Sequence, residues 1–541
     1  MTRPHTSDSA APGTSFVNTR RWAWAQDALL ALLCAFALWR GTQAVWGLQY
    51  PENIDLYRDI GAAQSIRDGA FGQDAAYLGE TLWYNPLLPT LGAFVSLFAS
   101  APLNVVYTQL GPYVNILLPI VLYILLARFF RRIVGLLAAA ALLFLDFYLE
   151  SAVGWNAYTA AFVASRSSVP LFLLTLLAWR ALLENGRWPY AALTGLLLGL
   201  TFLGHTAPAL LFGTLLTLHL LWTLFWRKNV KNALRDYIVL VAAALLVSLP
   251  YTWSIVGHYG LRVLNNFPNS WTVPLLYPEN FGALLQAQLN PLTALALVGL
   301  AALWAQPPQT RAPLYLWLLS CLLWLVYSYA AQINSALPRV IPSLHFYFYL
   351  EILKFALAGV GLWALARLTA RFATRRWKVL THENAHMRPA YTLAALALAV
   401  LVAQGAPAFD SKRELRRPAD QWTTDERIQM TDWIRANTPP EAVFLAPDGL
   451  DLPVVGPSGR KLVCIGIFWS NPYVDWLARD ADRTALLGLI TAGDTVGFRA
   501  LAAPYQVQYV LLPAQQAVTL PALRLVFANS ELALYAVTAA P

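Results

Sequence analysis

Residues 51–86 read PENIDLYRDIGAAQSIRDGAFGQDAAYLGETLWYNP. The segment carries Glu52, Asp55, Asp59, Asp68, Asp74 and Glu80 in a protein whose residues are only 12% charged. A long apolar run precedes it and many follow, so six carboxylates gather beside a membrane surface, where ionisable groups are costly and mark chemistry. Between Leu56 and Phe71 the pattern sets Ile60, Ala63 and Ile66 near one helical face, with Asp59, Arg67 and Asp68 elsewhere. This predicts a short interfacial helix closed by Gly69. After Pro86 the apolar but short piece from Leu87 to Ala99 reads as a second helix lying on or dipping into the bilayer.

Outward from this segment, 58% of the 541 residues are hydrophobic and the mean hydropathy is +0.49. Soluble proteins are roughly 45–50% apolar, and here the excess comes in runs near the ~20 residues that a crossing needs. The fold class is a polytopic α-helical membrane protein. About eleven spans are expected, near 24–47, 104–127, 133–149, 168–183, 190–205, 207–226, 237–257, 287–304, 312–330, 346–367 and 389–405. Met1 to Thr19 is polar and has no cleavable signal pattern, so the run from Trp22 to Trp46 reads as a retained first helix. Residues 1–405 form the membrane domain, with an external loop 48–103 bearing the two juxtamembrane helices. Residues 406–541 hold no span and form a second domain.

The net charge of +9 does not require a nucleic-acid partner, because the basic residues follow the positive-inside rule. Alternate connections collect Arg20 and Arg21, then Arg128, Arg131 and Arg132, then Arg180 and Arg187, then Arg227 to Arg235, then Arg367 to Arg388. Few bases lie opposite: Arg40, Arg58, Arg67, Arg166, Arg262, Arg339 and Lys354. The N-terminus is therefore expected in the cytoplasm of a plasma (inner) membrane protein, and an odd number of spans puts the C-terminal domain outside. The acidic loop is then external, together with 146–168, the LGHTAP turn at His205, 258–286 and 331–351. Cys34, Cys321 and Cys464 lie far apart and form neither a disulfide framework nor a metal pattern.

After Gly405 a charged linker, DSKRELRRPADQW, leads to an amphipathic helix from Asp425 to Asn437, stopped by Pro439 and Pro440. The short apolar runs AVFLAP, KLVCIGI, YVLLP and LRLVFA read as buried strands, so this domain is expected to be α/β.

The loop string NIDLYRDIGAAQSIRDGAFG…YNPLLPTLGA resembles the first external loop of GT-C membrane glycosyltransferases, and TDWIRANTPPEAVFLAP resembles the start of the C-terminal domain in several of them. The resemblance implies an integral membrane glycosyltransferase, a hexosyl- or pentosyltransferase. It would move a sugar, with inversion, from a polyprenyl-phosphate donor to a glycan, lipid or protein acceptor on the extracytoplasmic face. It further implies that Asp55 is the general base that deprotonates the acceptor, with Glu52 and Asp59 as competitors and Tyr57 in the same motif. A carboxylate at a helix start also stabilises the helix with no catalytic duty. A leaving phosphate calls for fixed cationic donors. On topology and charge, Arg58, Arg339 and His345 are ranked first, with Arg262 and His205 behind. His345 also reads as a member of the interfacial aromatic belt, and His205 as a helix-to-helix hydrogen bonder.

No metal signature is evident. The loop acids, with Asp146 or Glu150, are of the type that ligates a divalent cation, although a metal-independent reaction is preferred. The rival functions are a transporter or flippase of lipid-linked saccharides and a membrane glycan ligase or polymerase. Transporters usually keep ionisable groups near mid-bilayer and show related halves, neither of which is seen here.

Overall fold

The computed structural model describes residues 15–145, 158–226, 230–376, 387–409, 423–516, 518 and 520–538. Asp146, Glu150, the charged linker and Arg227 lie outside these.

Eight described helices are long and apolar enough to cross a membrane: α1 (Arg21–Val45), α5 (Gly111–Phe129), α7 (Ala164–Asn185), α9 (Thr206–Phe225), α10 (Val230–His258), α13 (Pro308–Ile333), α14 (Ser343–Thr374) and α15 (Met387–Gly405). Between α1 and α5 lie α2 (Asp55–Arg67), α3 (Leu87–Ala99) and α4 (Leu103–Gln109). Two shorter apolar helices, α6 (Arg132–Phe144) and α8 (Trp188–Gly204), complete the first half, and α11 (Pro278–Ala287) meets α12 (Pro291–Leu303) at an 82° bend. Where described, each of the eleven expected runs is mostly helical, but eight described helices pass as unbroken spans, or ten if each bent pair, including α3 with α4, is one crossing. The physical reasons are local. Thirteen residues of α6 reach only about 20 Å, short of a ~30 Å hydrocarbon core. The α11–α12 bend falls where Asn290 caps Thr293 and Pro291 can continue no earlier helix.

The helical core centres on α14, most of which is buried inside the bundle. Small residues permit the approach of its neighbours, as expected where van der Waals packing drives association. A Cβ at Gly359 of α14 would sit 2.7 Å from the Cβ of Ala138 in α6.

The C-terminal domain holds five strands, β1 (Val443–Leu445), β2 (Lys461–Leu462), β3 (Val507–Pro513), β4 (Leu523–Ala528) and β5 (Leu532–Val537), in the order β2-β1-β3-β5-β4. β1 runs parallel to β2 and β3, whereas β5 is antiparallel to β3 and β4. Helices α16 (Asp425–Asn437), α17 (Trp476–Ala492) and α18 (Thr495–Ala502) accompany the sheet. α16 has the bounds expected of it, set by the Thr424 side chain accepting the Arg427 N–H at one end and by Pro439 and Pro440 at the other.

The outward-assigned segments meet at one end of the bundle. Asn104 bonds the Gln49 carbonyl, Asn85 bonds Phe202 and Thr206, Tyr251 bonds Trp83, and Thr272 bonds Ser343. The opposite end carries Arg132 paired with Asp27 at 2.7 Å and Arg180 over the Phe129 ring.

Candidate active site

The first loop is held between the bundle and the C-terminal domain. α2 starts where the Asp55 N–H donates to the Asn53 side chain (2.9 Å) and ends at Asp68, followed by Gly69 in the left-handed region (φ 89°). Leu56, Ile60 and Ala63 pack with Leu88, Leu103, Tyr107 and Phe162. Its other side meets the C-terminal domain: Ser65 donates to the Gly459 carbonyl, and Arg460 pairs with Asp68 at 2.8 Å. A Cβ at Gly61 would overlap the Gly456 carbonyl oxygen. The expected interfacial helix is therefore buried on both sides. The lipid-facing role belongs to α3, which exposes Leu91, Phe94, Leu97 and Phe98.

The rest of the loop is tied down residue by residue. Asp74 accepts from the Ala76 N–H and from Asn471 (2.9 Å), and its backbone carbonyl accepts from Lys461. Burial raises the Asp74 carboxyl above its ordinary range, against the pull of these donors. Tyr77 shares a hydrogen bond with Ser470 at 2.8 Å, and Tyr259 links Thr81, Glu80 and Asn471.

Asp55 is the first residue of α2, yet its carboxylate does not cap the helix. Oδ1 accepts the indole N–H of Trp469 at 2.7 Å. Arg58, one turn on, donates through Nε and Nη2 to Asp59 Oδ1 (2.9 and 2.8 Å) and lies over the Tyr84 ring at 3.7 Å. Burial works against the charged Arg58, but Asp59, Tyr84 and Asp55 outweigh it and raise its pKa. Burial also raises the Asp59 carboxyl, with Arg58 pulling it back. A cavity of about 40 Å³ is lined by Arg58, Ile66, Phe71, Trp83, Tyr84 and Trp469. Asp55 reaches it through its bond to Trp469 rather than by lining it.

The other expected residues divide. His205 and His345 are brought together, with ring centroids 4.7 Å apart, in the gap between α8 and α9 and at the start of α14. Arg166 acts on His345 electrostatically, and Asn85 ties the loop to the residues flanking His205. Tyr57 points away from Asp55, fully buried against Tyr50 in the core shared with the C-terminal domain. Glu52 is half-buried at the start of the loop. Arg339 stands apart from Arg58 in a cleft of about 370 Å³ lined also by Phe267, Trp271, Tyr277 and Glu279. Arg262 is exposed. Trp469 and Tyr84 were not singled out from the sequence, although FW in KLVCIGIFWSNPY is an aromatic pair just beyond a strand, and Arg166 was named only among the outward bases.

Among the described residues, no group of three or more His, Cys, Asp or Glu side chains is placed to hold a metal ion. The loop acids are instead engaged by Trp469, Arg58, Arg460, Asn471 and Tyr259.

No family model matches the chain, and no curated protein matches it by sequence. Solved structures do. The chain is similar to ArnT from Cupriavidus metallidurans bound to undecaprenyl phosphate, with a TM-score of 0.56 at 13% identity over 94% of this chain and 97% of that one. It is similar to the oligosaccharyltransferase AglB from Archaeoglobus fulgidus, in complex with an inhibitory peptide and a dolichol-phosphate (0.52, 14%, 92% and 70%). It is also similar to the arabinofuranosyltransferase AftD from Mycobacteria (0.51, 16%, 96% and 42%). This multi-span membrane protein has the fold of the GT-C glycosyltransferases.

Proposed function

We propose that the protein transfers a sugar, with inversion, from a polyprenyl-phosphate donor to an acceptor on the extracytoplasmic face, and that the C-terminal domain lies on that side. The observation that carries the reading is the Asp55 carboxylate: it leaves its helix end uncapped, accepts one neutral donor among the described residues, and stands a turn from the half-buried Arg58. In this reaction the acceptor hydroxyl gives its proton to Asp55 as its oxygen attacks the anomeric carbon. The bond from that carbon to the phosphate oxygen breaks on the opposite face, and its electron pair leaves on the phosphate. Arg58 is the cation nearest the base and offsets the developing charge, with His205 and His345 deeper behind the loop. The exposed apolar face of α3 gives the lipid tail a surface.

Asp55→Asn removes the base while keeping an acceptor for Trp469. Purified in detergent and offered a panel of undecaprenyl-phosphate-linked hexoses and pentoses, the parent is expected to be thermally stabilised by at least one of them and to turn it over. Asp55→Asn is expected to keep that stabilisation and lose at least ~100-fold in kcat. Near-parental turnover by Asp55→Asn removes Asp55 from the mechanism. Transport of the lipid-linked sugar without transfer favours a flippase.

A further inference from the structure

We infer that Trp469, supplied by the C-terminal domain, is a positioning residue of the transfer centre: its indole N–H fixes Asp55 Oδ1 and leaves Oδ2 to receive the acceptor proton. The inference rests on the reading of Asp55 as general base.

Among the described residues Trp469 is the sole hydrogen-bond donor to this carboxylate, at 2.7 Å, across 414 residues of sequence. A base that must meet a hydroxyl within hydrogen-bond reach has to be held in one rotamer by something that does not compete for the proton. An indole N–H suits that task, because it donates and has no acceptor capacity. Arg58 does not serve in its place, since its guanidinium is bonded to Asp59.

Trp469 is itself held from two directions. Its backbone N–H closes a turn onto the Gly466 carbonyl (3.0 Å), and its ring lies so close to Gly466 that a Cβ there would come within 2.9 Å of it. The buried Asp451 carboxylate lies beside Gly466, 3.9 Å from where a Cβ there would sit, and faces Arg483 at 3.6 Å. From the bundle side, Phe468 packs on Phe267 (4.7 Å) and Trp271 (6.0 Å), and Asn265 bonds the Ile467 carbonyl. The Leu264 and Asn265 N–H groups both bond the Pro472 carbonyl (2.8 and 2.9 Å). The turn is thus clamped between the α10–α11 connection and the sheet domain, a rigid mounting of the kind a positioning residue needs.

The test uses the full chain in detergent, the undecaprenyl-phosphate sugar that it turns over, and two replacements at one position. Trp469→Phe keeps an aromatic ring and loses the N–H. The isostere 3-benzothienylalanine at 469 keeps the whole bicyclic shape and loses only the N–H, so folding is preserved. Each is expected to lower kcat by roughly 10–100-fold, the scale of a misplaced reacting group, with the donor KM within about twofold, as befits a contact outside donor binding. Parental kcat in the benzothienyl protein, with Asp55→Asn inactive, overturns the role of Trp469 alone. An active Asp55→Asn removes the underlying reading instead.

Discussion

Arg58 and Asp59 form an ion pair whose acid is almost wholly buried, with Tyr84 closing over the guanidinium. Breaking such a pair from one side costs about 3–5 kcal/mol, because the remaining charge stays buried without its partner. Arg58→Ala is therefore expected to lower the melting temperature of the purified protein sharply. The double replacement Arg58→Ala with Asp59→Asn should recover most of that loss, since no charge is stranded, while transfer stays impaired. Recovery of stability without recovery of turnover separates the two duties of Arg58. Scarce acids clustered in one loop drew attention to Asp55 and Asp59 in the sequence, and an outward base to Arg58; the structure sets all three on α2. Tyr57 was not legible: two positions beyond Asp55 on an α-helix is about 200° around the axis, which turns it into the opposite core. Trp469 was illegible for another reason. It is one of 21 tryptophans, and its meaning depends on a partner far away in the chain.

At the level of elements, α2 shows what periodicity can and cannot tell. Its apolar face was read correctly, but periodicity gave no sign that Gly61, Gln64 and Ser65 are covered by the segment around Gly456 and Gly459. Gly61→Ala is expected to cost at least ~1–3 kcal/mol, the usual range for overpacking, and to loosen the C-terminal domain, seen as faster proteolysis of residues beyond 423. The sheet was partly legible: β4 was expected, whereas LALYAV, which forms β5 and joins it to β3, was passed over. The turn that carries Trp469 has its own pH signature. Burial raises the Asp451 carboxyl from 3.8 to about 6, against the Leu452 and Gly466 N–H groups and Arg483. A raised acid contributes stability that is full below its unfolded pKa and lost as pH rises through the folded value. That window runs here from about 4 to about 6. A shift of this size corresponds to on the order of 2–3 kcal/mol. Asp451→Asn should accordingly melt higher than the parent at pH 7.5, with the gap closing by pH 4 in a thermal scan. An equal gap at both pH values would contradict it.

For the whole molecule, charge bias and hydrophobic runs sorted the connections into two sets, and the structure brings the outward set to one end. The number of crossings was less legible, because α6 and α8 are short and α11–α12 is bent at Pro291, local features that a long hydropathy window averages over. Sidedness is open to direct measurement. The native cysteines are all buried, so Leu477→Cys, at a site 74% exposed on the C-terminal domain, offers the accessible thiol. Intact cells treated with a membrane-impermeant maleimide should label this variant and leave the parent dark. Labelling only after lysis would put the domain in the cytosol.

The Gly61–Gly456 and Asp68–Arg460 contacts also set a timetable for biogenesis. The two sides of that seam leave the ribosome some four hundred residues apart, which at ~5–20 residues per second is an interval of about 20–80 s. For that time the half of the seam made first waits, with Tyr57 and Gly61 uncovered, for its own far end to be synthesised. A nascent chain stalled before residue 440 should therefore be a substrate for quality-control proteases and incapable of turnover, however completely its membrane helices have inserted.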